Sequence, residues 1–188
     1  MPTSLWIPTI VIATVAITIV AFRRIDIFER LLLHNQRVIA NGQWWRLLTS
    51  ALLHADYMHL FVNMWVLWNF GTFLEHNVGG PIAGLVYLAG VVNGSLAGLI
   101  GHRDDPDYRA VGASGGVSAM LAAAIVLAPD MPMRVLLVPM AMPAWVFGAF
   151  YVAYSVYGAR RGGDNIGHEA HLGGVAAGAI AGLLLRMM

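Results

Sequence analysis

Long apolar stretches cut by polar breaks constrain this chain more than any other feature. Six of them run over about residues 5–22, 57–77, 81–101, 114–128, 133–157 and 168–187. A helix crosses the hydrocarbon core of a bilayer in about 20 residues. The breaks are charged or helix-breaking: "RRIDIFER", "EHNVGGP", "GHRDDPDYRAVG", "APDMP" and "GARRGGDN". The chain is 59% hydrophobic and only 11% charged, whereas soluble domains carry about a quarter charged residues. The surplus apolar surface needs a bilayer as its solvent. The reading is an all-α integral membrane protein: one domain over residues 1–188, a six-transmembrane-helix bundle. The first stretch lacks a basic leader and a small-residue cleavage site, so it reads as a membrane helix rather than a signal peptide. Pro139 and Pro143 predict a kink inside the fifth span.

Residues 23–56 are neither a clean span nor a solvated loop. "IFERLLLHN" and "WWRLLTSALLH" mix charge with apolar residues, and Trp44 and Trp45 beside Arg46 suit a membrane–water interface. This segment is read as a membrane-associated first loop of short helices. A net charge of +1 gives no electrostatic basis for nucleic-acid binding, and the absence of cysteine leaves no disulfide framework or thiolate metal site.

Sequential spans alternate in direction, so the second, fourth and sixth run parallel. Each carries polar residues in its first turn or two. His59 and Asn63 lie four apart on one face of the second, Ser114 opens the fourth, and His171 lies a turn inside the sixth. Ionisable groups inside membrane spans point to function, and these converge at one depth. Ladders of small residues predict close helix approach. Gly174, Gly178 and Gly182 follow His171, and Ser118 and Ala122 follow Ser114. Packing one ladder on the other brings Ser114 towards His171. A third ladder, Gly90, Gly94 and Gly98, is read as packing alone.

A serine needs a base to become nucleophilic, and histidine is the usual one. The oxyanion that follows needs donors. Asn63, His59 and the backbone N–H of Ser114 are the candidates, with Gly112 and Gly115 allowing close backbone approach to substrate. "GASGG" matches the G-x-S-x-G elbow of α/β-hydrolases, but a charged loop rather than a strand precedes it. No acid lies suitably between Ser114 and His171, so the pair reads as a dyad. "HEAH" is not the H-E-x-x-H of a zinc helix. Neither a metal nor a cofactor is expected.

Taken together, "WWRLLTSALLHADYMHLFVNMWVLWNFGTFLEHNVGG", "VGASGGVSAMLAA" and "AHLGGVAAG" resemble rhomboid intramembrane serine proteases in order and spacing. The resemblance runs from about residue 40 to the end. It implies Ser114 as nucleophile and His171 as base, with His59, Asn63 and the Ser114 amide around the oxyanion. It implies structural roles for Arg46 and Glu75, and a mobile fifth helix and loop at about 133–167. The implied substrates are single-span membrane proteins cut near the membrane face. The implied location is a plasma or inner membrane, the site opening on the non-cytoplasmic face. That orientation sets nine arginines outside and two inside, against the positive-inside rule.

The bland readings compete residue by residue. Ser114 could be only a helix cap, His171 a satisfied interior histidine, and His59 and Asn63 interhelical glue. His54 and His168 are read as interfacial or structural. Glu169 is read as an interfacial acid, and Asn69 and Asn93 as interhelical hydrogen-bonders. A catalytically dead, client-holding relative and a small transporter are the competing functions. Oligomeric state and natural substrate are not readable.

Overall fold

The computed structural model describes residues 5–134 and 141–188. Among the described residues, six longer helices carry the fold: α1 (Trp6–Arg23), α5 (Tyr57–Val78), α6 (Gly80–Gly101), α7 (Ser114–Leu127), α8 (Ala144–Arg161) and α9 (His168–Arg186). Three short helices, α2 (Ile25–Leu31), α3 (Asn35–Ile39) and α4 (Arg46–Thr49), fill the first loop and end in a 3-10 turn at Ser50–Leu52. By length and composition, α1 and α6 are each sufficient to cross a bilayer, and α7 is a shorter apolar helix. Large apolar side chains such as Ile12, Trp68, Leu85, Phe150 and Leu184 stand exposed on the outside of the helices.

The all-α expectation needs one correction. Two short antiparallel pairs occur: β1 (Leu33–His34) with β2 (Arg109–Ala110), and β3 (Pro132–Arg134) with β4 (Ala141–Pro143). The second pair also overturns the predicted fifth span. Its helix starts at Ala144 rather than at residue 133, so Pro143 precedes the helix instead of kinking it. Proline lacks the N–H that a helix interior needs and biases its predecessor towards extended backbone, so Met142 and Pro143 lie in β4 and not in the helix. Pro139 lies outside the described residues.

Local chemistry sets the helix ends. The Asp56 carboxylate accepts the His59 backbone N–H at 2.8 Å, capping α5. Gly79, at φ +87°, turns the chain from α5 directly into α6, a conformation that L side chains resist. At the start of α1, the Trp6 N–H donates to Glu75 Oε1 at 3.0 Å, which ties α1 to the end of α5 and bears on the structural role expected of Glu75.

The first loop is a scaffold. Buried Arg46 donates through Nε to Gln43 Oε1 at 2.7 Å, and through Nη1 to the carbonyls of Leu32 and Glu29. Asn35 Nδ2 donates to the carbonyls of His102 and Asp105 at 2.8 and 2.7 Å. The Arg46 bonds tie the loop to itself, and the Asn35 bonds fasten it to the α6–α7 connection. The packing centre is the contact of α6, α7 and α9, where glycines let backbones touch. A Cβ on Gly90 would lie 2.3 Å from Ala119 Cβ, and one on Gly94 2.9 Å from both the Ala170 carbonyl oxygen and Gly115 Cα. Among the described residues, Asn69 and Asn93 bond within their own helices and bridge no others. Their Nδ2 atoms donate to Trp65 and Ala89 carbonyls of their own helices, at 2.7 and 2.8 Å, because a carbonyl one turn back is always within reach.

Candidate active site

The connection into α7 is built before the helix begins. Arg109–Ala110 pair with Leu33–His34, and the Gly112 N–H donates to the Ser50 carbonyl at 3.1 Å. The Ala113 N–H points at His54 Nε2, 3.4 Å away. On the other side of that ring, Nδ1 lies 3.3 Å from Thr18 Oγ1, whose hydroxyl donates to the Leu52 carbonyl at 2.9 Å. These contacts fit one tautomer, with the proton on Nδ1 and Nε2 accepting. His54 is fully buried, and that burial pushes its pKa down to about 3. It is a neutral strut between the first loop and the residue before Ser114, which fits the structural reading of His54.

α7 starts at Ser114 without a side-chain cap. The N–H groups of its first turn therefore have no carbonyl behind them and are available to a ligand. Gly112 holds φ +130°, and a Cβ there would meet His59 Cε1 and Nε2 at 2.8 and 2.9 Å. The His59 ring thus lies directly on the approach to Ser114. Its Nδ1 takes a long contact from the Ala55 N–H, 3.5 Å, leaving Nε2 as the nitrogen turned towards Gly112. Asn63 is buried and spends one Nδ2 proton on the His59 carbonyl at 3.0 Å, keeping its second for another acceptor.

His171 comes in on α9, which runs parallel to α7 along a seam of small residues. A Cβ on Gly174 or Gly178 would lie 2.1 Å from the carbonyl oxygen of Gly115 or Ala119, and one on Gly182 would meet Val126 and Ala123 at 2.9 and 3.1 Å. The α7 side of the seam is therefore Gly115, Ala119 and Ala123. The expected stripe of Ser114, Ser118 and Ala122 is one residue out of phase, about 100° around the helix. The rotation takes both hydroxyls off the seam. Gly115 also borders the cavity described next, but its tight backbone contacts make it first a helix-crossing residue.

A cavity of about 1610 Å³ opens over this region. Its lining includes His59, Asn63, Gly112, Ser114, Gly115 and His171, so the expected residues share one space. Arg46 and Glu75 are not among the lining residues, in keeping with roles in the scaffold. Among the described residues, Ser114 Oγ and the His171 ring make no hydrogen bond, and His171 Nδ1 is buried without a partner. Asp164 pairs instead with buried His168, Oδ2 to Nε2 at 3.1 Å, and that contact holds its carboxyl below the usual range. Glu169 lies against Gly101 and lines the same cavity.

Sequence reasoning passed over Ser50 and Asp56, which hold the approach to the site, and Tyr151, which stacks on His171. For Tyr151 a signal existed. Phe147, Tyr151 and Tyr154 mark one face of α8, at spacings that match His168 and His171 on α9.

Comparison with known proteins shows which family the chain belongs to. The Rhomboid domain model matches residues 41–188. The chain is 33% identical over 162 residues to RHOMBOID-like protein 12, mitochondrial, of Arabidopsis thaliana, covering 78% of this chain and 48% of that protein. It is 38% identical over 91 residues to Rhomboid protease GluP of Bacillus subtilis (strain 168), covering 48% of this chain and 17% of the relative. To human Rhomboid-related protein 3 it is 43% identical over 82 residues, covering 44% and 20%. The chain thus spans less than half the length of each of these relatives. With the family model matching most of its length and the motif residues gathered around one cavity, the chain belongs to the rhomboid family, whose members are integral membrane proteins.

Proposed function

We propose that this chain is an intramembrane serine endopeptidase with its six longer helices crossing the bilayer as one domain. It hydrolyses peptide bonds in or near the transmembrane segments of single-span membrane proteins. The observation that carries the reading is that Ser114 and His171, from two helices joined by a glycine seam, border one cavity. Kinship with proteins named rhomboid proteases supports it.

In this reading, Ser114 Oγ attacks the scissile carbonyl while His171 takes its proton. The resting site is open, as sites without substrate often are, and the hydroxyl and imidazole close to hydrogen-bond distance once substrate is bound. The negative oxygen of the tetrahedral intermediate meets the Ser114 N–H, the second Nδ2 proton of Asn63 and the His59 Nε2 proton. Collapse breaks the peptide C–N bond, and the imidazolium gives its proton to the leaving amine. A water molecule then repeats the sequence, releasing the acid and restoring Ser114. A substrate helix hides its own carbonyls in hydrogen bonds, so the cut segment must unwind first. The first loop and the α6–α7 connection lie on the site side, which we place at the non-cytoplasmic face of a plasma or inner membrane.

The test is cleavage of a single-span substrate with a small residue near its membrane boundary, in liposomes, with a chelator present. Wild type cuts, and Ser114→Ala and His171→Ala do not, while all three keep the same thermal unfolding. Wild-type-like cleavage by Ser114→Ala refutes the nucleophile. Binding without cleavage by all three moves the client-holding reading ahead.

A further inference from the structure

The α8 face turned towards α9 carries Phe147, Tyr151 and Tyr154, spaced four and three apart along one stripe. α9 answers with His168 and His171, and the antiparallel helices interleave these rings. Tyr151 stacks on His171 with centroids 5.6 Å apart and planes 28° from parallel. Tyr154 meets His168 edge-on at 5.2 Å, and Phe147 stacks on Tyr151 at 6.2 Å. At its far end the Tyr151 hydroxyl lies 2.7 Å from Ser118 Oγ. Ser118 is buried on α7, one turn beyond Ser114. Tyr151 is thereby held at both ends, its hydroxyl on the helix of the nucleophile and its ring on the base.

His171 needs such a neighbour. The imidazole torsion is broad and intrinsically soft, and a hydrogen bond at Nδ1 is the common way to fix it. Here Nδ1 is buried without a partner, and the nearby carboxylate of Asp164 is engaged by His168. What remains to set the ring plane is the surface packed against it.

We propose that Tyr151 is the positioning residue for His171: its ring sets the plane of the imidazole, and Ser118 sets Tyr151. The inference deepens the dyad reading above and rests on it. It has a mechanical consequence. Because α8 supplies the ring, the base is aligned only while α8 is seated on α7 and α9. Any movement of α8 that admits substrate must reverse before the proton transfer.

The experiment measures kcat and KM for single-span substrate cleavage in liposomes. It also measures the rate at which a small fluorophosphonate labels Ser114, which reads activation of the nucleophile without substrate docking. The variants are Tyr151→Met, Tyr151→Phe, Ser118→Ala, and the last two combined. Tyr151→Met removes the flat ring and keeps bulk; kcat and labelling fall by about 10- to 100-fold, with KM within about twofold. Tyr151→Phe restores the ring and recovers most of that loss. Ser118→Ala and Tyr151→Phe each cost about 3- to 10-fold in kcat, the value of one hydrogen bond, and the double variant is no worse than either.

Labelling of Tyr151→Met at the wild-type rate, or a loss confined to KM, overturns the proposal, because Tyr151 would then only line the substrate passage. Should Tyr151→Met not fold, Ser118→Ala decides alone, and a wild-type kcat overturns it. A failure of the dyad itself is separately visible: Ser114→Ala or His171→Ala would then cleave or label like wild type.

Discussion

Gly178→Ala is the sharpest test of how the site is held together. A Cβ at Gly178 would sit 2.1 Å from the Ala119 carbonyl oxygen, 2.5 Å from its Cα and 2.6 Å from its carbonyl carbon. All three are backbone atoms of α7, so no side-chain rotation relieves the clash. Carbon and oxygen settle at about 3.3 Å, which asks α9 to retreat from α7 by about 1.2 Å. Gly178 lies two turns beyond His171, about 10 Å along the helix, so a bodily shift or a tilt carries His171 with it. Overpacking of this kind costs about 1–3 kcal/mol of stability. A misplacement of about 1 Å at reacting groups costs about 100-fold in rate. The expected outcome is therefore a folded protein that unfolds several degrees earlier and cleaves a single-span substrate about 100-fold more slowly. Gly148→Ala is the control. Its Cβ would meet Ile125 Cδ1 at 2.9 Å, the tip of a flexible side chain that can turn aside. Rates are read in liposomes and unfolding in detergent. If Gly178→Ala matches Gly148→Ala in both, the seam does not align the site. If only stability falls, the seam holds the fold but not the geometry of Ser114 and His171.

Two further outcomes concern the scaffold. His54 titrates at about 3 in the fold against 6.5 as a free side chain. Below the higher value the unfolded chain takes up a proton that the folded chain refuses, so stability falls as pH drops from 6.5 towards about 3. His54→Gln removes this contribution, and its unfolding temperature should slope less steeply with pH across that window than wild type; parallel slopes would sink the assignment. Arg46→Ala takes the Arg46 donor from the carbonyl of buried Leu32, while the Glu29 carbonyl keeps its bond from Arg37, and should cost about 1–3 kcal/mol. Arg46→Lys should recover less than half, since an ammonium cannot reproduce the guanidinium fork. An unchanged unfolding temperature in Arg46→Ala would show that the first loop is held by other contacts.

Much of the site could be read from residues in order. The starts of α5, α7 and α9, the polar residues in their first turns and the parallel run of α7 and α9 follow from apolar length, helix breakers and alternation. The glycine ladders also announced themselves, and Gly174 and Gly178 lie where the spacing puts them. The pairing of β3 with β4 was missed because the sequence around them is as apolar as a span, and length alone does not separate a short apolar strand from part of a helix. The asparagines were misread because spacing identifies a polar group in an apolar helix but not its acceptor. His54 was undervalued because its partners, Thr18 and Ala113, lie far from it in sequence.

The sequence by itself determined where five of the six longer helices fall and that α7 and α9 run parallel. These properties depend on composition and on periods of a few residues along one strand of chain. Only the tertiary structure decided how α7 is rotated about its axis. Two small-residue stripes lie side by side on that helix, one residue apart, with the same four-residue period. Local spacing is identical for both, so the choice falls to the shapes of α6 and α9. They take Gly115 and Ala119 into the seam, because only a backbone or a methyl fits there. That leaves Ser114 facing the cavity and Ser118 facing Tyr151.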